Sequence, residues 1–176
     1  IQSPAQAIEN GLGFLSEDRK KNGFVWSMDI QQNMTLAALQ SMVDGLFLNS
    51  RRERDKAEEY FEKLQVKAPS LETMITSLSG GNQQKVILAK WLMSSIRILM
   101  LDEPTRGIDV GTKSEIYKLM QELTDDGISI IMISSEMPEL LAMCDRLVVL
   151  GKGVVQAEFR RGEVDEVRLL QAASCT

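Results

Sequence analysis

The sequence has 176 residues, 44% hydrophobic and 26% charged, with a formal charge of -5; this is enough apolar material for one core of domain size, with no mark of a collagenous, disulfide-built or disordered chain. The acidic balance argues against a partner held mainly through nucleic-acid phosphates, and the lack of any histidine removes the commonest neutral-pH acid, base and metal ligand. Chemistry must therefore rest on carboxylates, hydroxyls, backbone groups and a bound ion.

No apolar run approaches the length of a membrane span, and Ile128 to Ile133 and Leu147 to Leu150 have the length of buried strands. Cys144 and Cys175 stand outside any close-spaced metal pattern and read as ordinary thiols of a cytosolic protein. The chain opens on Ile1 without the basic-then-apolar order of a secretory signal, and the expectation is a piece whose start lies upstream.

In chain order, Leu12 to Leu15 follows Asn10-Gly11 and reads as a buried strand. The stretch from Phe24 to Ser77 changes character, with helical patterns at Ile30 to Leu39 and Arg52 to Leu64, and reads as a helical subdomain over 25–77. Ser50 and Glu53 have capping-box spacing, and Ala57, Tyr60, Phe61 and Leu64 recur at helical intervals. The charges from Arg51 to Lys63 are a solvated face, and Met93, Met100, Met120 and Met132 are assigned to the core.

From Ile96 onward the pattern alternates. Strand Ile98 to Leu101, helix Thr112 to Leu123 ending at Gly127, strand Ile128 to Ser134, helix Pro138 to Met143 and strand Leu147 to Leu150 give a βαβ rhythm. That rhythm predicts an α/β fold with a parallel sheet. Ligands of such sheets sit at the carboxyl ends of the strands, directing attention to the residues after Leu101 and Ile133.

Ile98 to Leu101 runs directly into Asp102 and Glu103, two carboxylates at the rim of a buried strand, in the form of a Walker B motif. A nucleotide's Mg²⁺ takes a hard oxygen ligand, here Asp102, and a neighbouring carboxylate, here Glu103, orients or deprotonates the attacking water. Asp-Glu-Pro-Thr is also good loop chemistry, so the motif alone leaves an ordinary turn open. Leu78-Ser79-Gly80-Gly81-Asn82-Gln83-Gln84-Lys85 opens a second helix, whose N–H groups and dipole suit a phosphate. Ser79 as a plain cap is the alternative.

These two motifs, with sixteen intervening residues and with Gly107-Ile108-Asp109 behind them, resemble the signature, Walker B and D-loop of ABC-type ATPases, over essentially the whole chain. Ser16-Glu17-Asp18-Arg19-Lys20, the Asn-Gln-Gln-Lys ending of the signature and Pro104 to Gly111 resemble the second cassette of tandem monosaccharide-importer ATPases. The resemblance implies a P-loop NTPase-like core over 1–24 and 78–176, with 25–77 as the helical insert. It implies ATP and Mg²⁺ as cofactors. Partners would be a second cassette paired head to tail, a transmembrane permease and, indirectly, a periplasmic sugar-binding protein, with no nucleic acid. The implied location is cytoplasmic, peripheral on the inner face of the bacterial membrane.

Residue by residue, the resemblance makes Glu103 catalytic, Asp102 the ion ligand and Ser79, Gly80, Gly81 and Gln83 phosphate-binding groups. Asp109 becomes a D-loop residue that also caps the following helix. Glu17 stands where the family usually has a glutamine reaching the ion, its alternative being a surface charge. Ser135 stands where the family has its switch histidine; a serine can hydrogen-bond a γ-phosphate but holds no positive charge, so a slow half-site is expected.

None of the twelve glycines begins a Walker A run, G-x-x-x-x-G-K-[ST]. Since that motif lies upstream of the first strand in the family, truncation is expected, with exposed apolar surface and self-association where a strand is missing. The expected mechanism is that this cassette mainly completes a competent site on the other one. Two further readings stay open: a non-transport ABC protein acting on nucleic acid, and a non-catalytic piece that acts only by pairing.

Overall fold

The computed structural model describes residues 1–174, so Cys175 lies outside the described residues. The chain divides into two compact units, one covering Ile1–Ile131 and a second beginning at Met132.

In the first unit, helix α1 (Pro4–Glu9) starts at Ser3, whose hydroxyl accepts the Gln6 N–H, with Pro4 in the first turn where its missing N–H costs nothing. Strand β1 (Leu12–Leu15) follows. After it the chain makes a five-residue π-type turn at Arg19–Gly23, then α2 (Ile30–Thr35), entered through a capping box between Asp29 and Gln32. The helical pattern read to Leu39 stops at Thr35, and a separate 3₁₀ turn covers Leu39–Met42. Short strands β2 (Val43–Asp44) and β3 (Phe47–Leu48) form an antiparallel hairpin around Gly45.

Helix α3 (Ser50–Lys63) corrects the capping assignment. Asn49, not Ser50, is the cap, accepting from Arg52 N at 2.9 Å. Glu53 is buried instead of reaching back to the cap, and its carboxylate accepts the Thr35 hydroxyl at 2.7 Å. Helix α4 (Gly80–Leu92) is enclosed on nearly all sides, with Val86, Ile87, Leu88 and Ala89 at 1% exposure or less. It packs against α2, α3 and β1.

Strand β4 (Ile98–Asp102) runs parallel to β1 in the register Leu12↔Ile98 to Leu15↔Leu101. Leu15, Leu99 and Leu101 point into the core, while Phe14 stays 46% exposed. Helix α5 (Val110–Asp125) ends before Gly127, whose φ of 88° suits a glycine past a helix end. Strand β5 (Ser129–Ile133) completes a three-stranded sheet in the order β1-β4-β5.

The second unit contains α6 (Met137–Met143), β6 (Arg146–Gly151), β7 (Val154–Arg160) and α7 (Glu166–Ser174). The structure corrects the expectation for Leu147 to Leu150: β6 belongs to an antiparallel hairpin with β7, from Arg146↔Arg160 to Gly151↔Val154, and not to the parallel sheet. The cause is the two-residue turn Lys152-Gly153, both with positive φ, a geometry whose twist matches that of the flanking strands. Of the methionines assigned to the core, Met93 and Met120 are buried, whereas Met100 and Met132 are only half-buried. Cys144 is a free, half-buried thiol whose pKa burial raises.

Candidate functional site

Because β1 and β4 are parallel and Leu15 lies beside Leu101, Ser16-Glu17 and Asp102-Glu103 leave the sheet at the same rim. This is the carboxyl edge, where an α/β sheet leaves a crevice for ligands. Asp102 closes β4 and is half-buried. Glu103 adopts φ = 50°, a left-handed conformation that costs a non-glycine residue about 1 kcal/mol or more. The turn behind it is held by Arg106 N donating to Glu103 O at 3.2 Å and by burial of Thr105 to 1% exposure.

The signature helix faces that turn and is bonded to it. Gln84, 2% exposed, donates its Nε2 to Pro104 O at 2.9 Å. Ser79 occupies the cap position of α4, yet its hydroxyl accepts from the Asn82 side chain at 3.0 Å and from no backbone N–H of the first turn. The plain-cap reading of Ser79 therefore fails, and the exposed hydroxyl stands at the start of a thirteen-residue helix. Gln83, expected on the phosphate, is buried and donates Nε2 to Ile75 O at 3.3 Å, anchoring the turn before the signature instead.

Gly81 is required by packing. A Cβ there would lie 2.2 Å from the Thr112 methyl, so α4 and α5 approach each other at their first turns. Thr112 is in turn fixed by Asp109, whose carboxylate accepts Thr112 N at 2.9 Å and Thr112 Oγ1 at 2.7 Å. Those two bonds hold the Asp109 carboxyl below its ordinary pKa. The capping role read for Asp109 is present in full.

Glu17, expected to reach the ion, forms an ion pair with Arg106. Arg19 crosses the same gap in the opposite sense, donating Nη1 to Arg106 O at 3.2 Å and Nη2 to Gly107 O at 3.4 Å. Together with Asp18 and Lys20 these side chains line a shallow depression. Partial burial draws the Arg19 guanidinium below its usual pKa, and among the described residues no carboxylate lies within ion-pair distance of it. Sequence reasoning missed Arg19 and Gln84 as site residues. Ser135 is exposed between β5 and α6 in the second unit; its neighbour Ser134 holds the helix start, accepting Glu136 N at 3.0 Å and donating to Glu139 at 2.6 Å.

Among the described residues, no cluster of three acidic or thiol side chains gathers to form a metal cage. Of the two carboxylates read as ion ligands, Glu17 is engaged by Arg106 and Asp102 remains at this rim, beside the catalytic candidate Glu103. That donor set fits Mg²⁺ carried by a nucleotide, which needs only one or two carboxylates alongside phosphate oxygens.

A parallel-sheet rim bearing paired carboxylates, bonded to a helix that opens on Ser-Gly-Gly, defines an ATP-binding cassette fold. The family model described as ABC transporter matches residues 3–106, and the chain belongs to that family. It is 48% identical over 174 residues to a xylose import ATP-binding protein of Geobacillus kaustophilus, covering 99% of this chain and 34% of that protein. It is 49% identical over 173 residues to a ribose import ATP-binding protein of Rhodopirellula baltica, covering 98% and 34%. The chain thus spans about a third of the length of the curated relatives it matches. Among solved structures, a nucleotide-free ATP-binding cassette from an ABC transporter aligns over 97% of this chain and 68% of its own, with TM-score 0.78 and 22% identity. A dimeric cassette in a post-hydrolysis state bound to ADP and Pi aligns over 86% and 63%, with TM-score 0.71 and 22% identity.

Proposed function

We propose that the chain is part of the ATP-hydrolysing subunit that energises import of a monosaccharide. The observation that carries this is the bonded pair of motifs: an exposed Ser79 hydroxyl with Gly80 and Gly81 at the start of α4, tied through Gln84 to the turn that presents Asp102 and Glu103. The sugar is supported by relatives sharing about half of its residues, which are xylose and ribose import ATP-binding proteins.

In this reading Asp102 holds the Mg²⁺ of the nucleotide, and that ion supplies charge neutralisation on the transferring phosphoryl group. Glu103 takes the proton of the attacking water. The α4 N-terminus, with Ser79, Gly80 and Gly81, binds a phosphate held by a second cassette paired head to tail, because free N–H groups and the helix dipole favour an anion there. Ser135, without a charge to offer, leaves this cassette's own half-site slow.

Substituting Ser79 in the assembled transporter then impairs transport more than substituting Ser135. Equal loss, or the reverse order, contradicts the assignment.

The segment 25–77, whose hairpin exposes Leu46 at 93% and Phe47 at 80%, is assigned to the contact with the permease. In this reading the protein sits peripherally on the inner face of the membrane; no helix among the described residues is long and apolar enough to cross it.

The test is ATP binding and turnover with Glu103→Gln as the control. In the assembled ATPase the substitution lowers the turnover of this cassette's own half-site by about 10²- to 10⁴-fold, the range of a lost general base, while ATP binding persists and the partner's site continues to turn over. Turnover at this half-site that survives the substitution refutes the role given to Glu103.

A further inference from the structure

Two arginines bridge the same pair of loops in opposite directions. Arg106 reaches from the turn after β4 to the Glu17 carboxylate, and Arg19 reaches from the turn after β1 to the backbone carbonyls of Arg106 and Gly107. The second bridge has unusual geometry: its acceptors are two successive carbonyls, and Gly107 carries φ = 67°, the left-handed conformation needed to turn the second one. A planar guanidinium can serve two such acceptors at once, which an ammonium cannot do in the same way.

Arg19 also abuts the signature. A Cβ built on Gly80 would lie 2.6 Å from Arg19 Nη2 and 3.4 Å from Gly107 O, so the guanidinium is layered between the first turn of α4 and the segment leading to Asp109. The charge therefore sits beside the positive end of a helix dipole, with no carboxylate within ion-pair distance of it among the described residues. A cation is electrostatically costly there, whereas its carbonyl bonds set the distance between two loops. Those bonds give it a reason to be present.

We propose that Arg19 is a positioning residue for ATP turnover, which fixes the backbone of residues 106–109 against the signature helix without itself touching the nucleotide. This rests on the ATPase reading above. It links three segments that local sequence keeps apart: the turn after β1, the D-loop and the start of α4.

The first test needs no nucleotide, so its failure is distinct from failure of the ATPase reading. Hydrogen exchange followed by mass spectrometry is measured on the wild-type protein and on Arg19→Ala. Exchange of peptides covering residues 104–109 should quicken about tenfold, the scale of a lost charge-assisted hydrogen bond, with peptides of α3 unchanged. Arg19→Lys, which keeps the charge and most of the stem, should also exchange faster in 104–109, because one ammonium cannot hold both carbonyls. The Lys variant decides the matter if Ala loosens the whole fold. Unchanged exchange at 104–109 in either variant overturns the proposal.

In the assembled ATPase, Arg19→Lys should lower kcat about tenfold, with KM for ATP unchanged, the mark of misplaced groups and not of lost binding. A raised KM with kcat intact would mean that Arg19 binds nucleotide directly, and would overturn the positioning role.

Discussion

Lys90 Nζ donates to the Gly23 carbonyl oxygen at 2.6 Å, joining the last turn of α4 to the end of the π-type turn after β1. Lys90 is 8% exposed, its ammonium lies 4.9 Å from the centre of the Trp91 ring, and no carboxylate pairs with it among the described residues. Burial lowers its pKa to about 8 from 10.5.

The sign of the consequence follows from proton binding. Below pH 8 the group is charged in both the folded and unfolded states, and the folded state carries the whole desolvation cost. Between about pH 8 and 10.5 the unfolded chain binds more protons, so stability rises with pH through this window. The contribution is on the order of 3 kcal/mol. Denaturant titrations of the wild type and Lys90→Met across pH 7 to 11 should differ in slope within that window, the variant being flatter. Parallel curves would show that Lys90 titrates normally.

Asn33 is the knot of the same region. It is 2% exposed, accepts Val25 N at 2.7 Å and donates to the carbonyls of Val25, Met28 and Asp29. Replacing it by alanine leaves the Val25 N–H without its acceptor and takes the side-chain donor from three carbonyls that each keep a backbone N–H, so Asn33→Ala should cost about 1–3 kcal/mol. The loss would be read as a lower denaturation midpoint with unchanged slope. A cost under about 1 kcal/mol would mean that water replaces the amide there.

The limits of what sequence could say follow from the range of its signals. Strands β1 and β4 were legible because strands of a parallel sheet read as continuous apolar runs, and α3 because its apolar positions keep helical spacing. Asn49 and Ser50 are both good caps, and tertiary burial of Glu53 under Thr35 decided between them. Strand β6 was assigned to the wrong sheet because the βαβ rhythm outweighed the Lys152-Gly153 turn, and the whole of β7 behind that turn passed unread. At the site, Asp102, Glu103 and Ser79 sit in local motifs that can be recognised. The partners of Arg19 and Gln84 are 87, 88 and 20 positions away, and no local pattern announces them.

Gln84 offers a test of how firmly the two motifs are joined. Gln84→Met keeps the volume and removes the bond to Pro104 O, leaving a buried carbonyl without that donor. A loss of about 1–3 kcal/mol is expected. Exchange should also quicken at residues 103–106 in addition to the neighbouring turns of α4. Loosening confined to α4 would mean that the Glu103 turn holds itself.

The close approach of Gly81 to Thr112 gives the last prediction. Gly81→Ala places a methyl 2.2 Å from Thr112 Cγ2 and 3.1 Å from its Cβ and Oγ1, against a side chain already pinned by Asp109. Thr112 must shift, and its hydroxyl bond to Asp109 is lost while Thr112 N keeps the cap, so the overpacking should cost about 1–3 kcal/mol. Thr112→Ser removes the clashing methyl while keeping the hydroxyl on Asp109. The single Thr112→Ser change should therefore be mild, and the double variant should recover 1 kcal/mol or more of the Gly81→Ala loss, about the coupling found between touching residues. Additive losses would show that the cost of Gly81→Ala does not arise at the Thr112 contact.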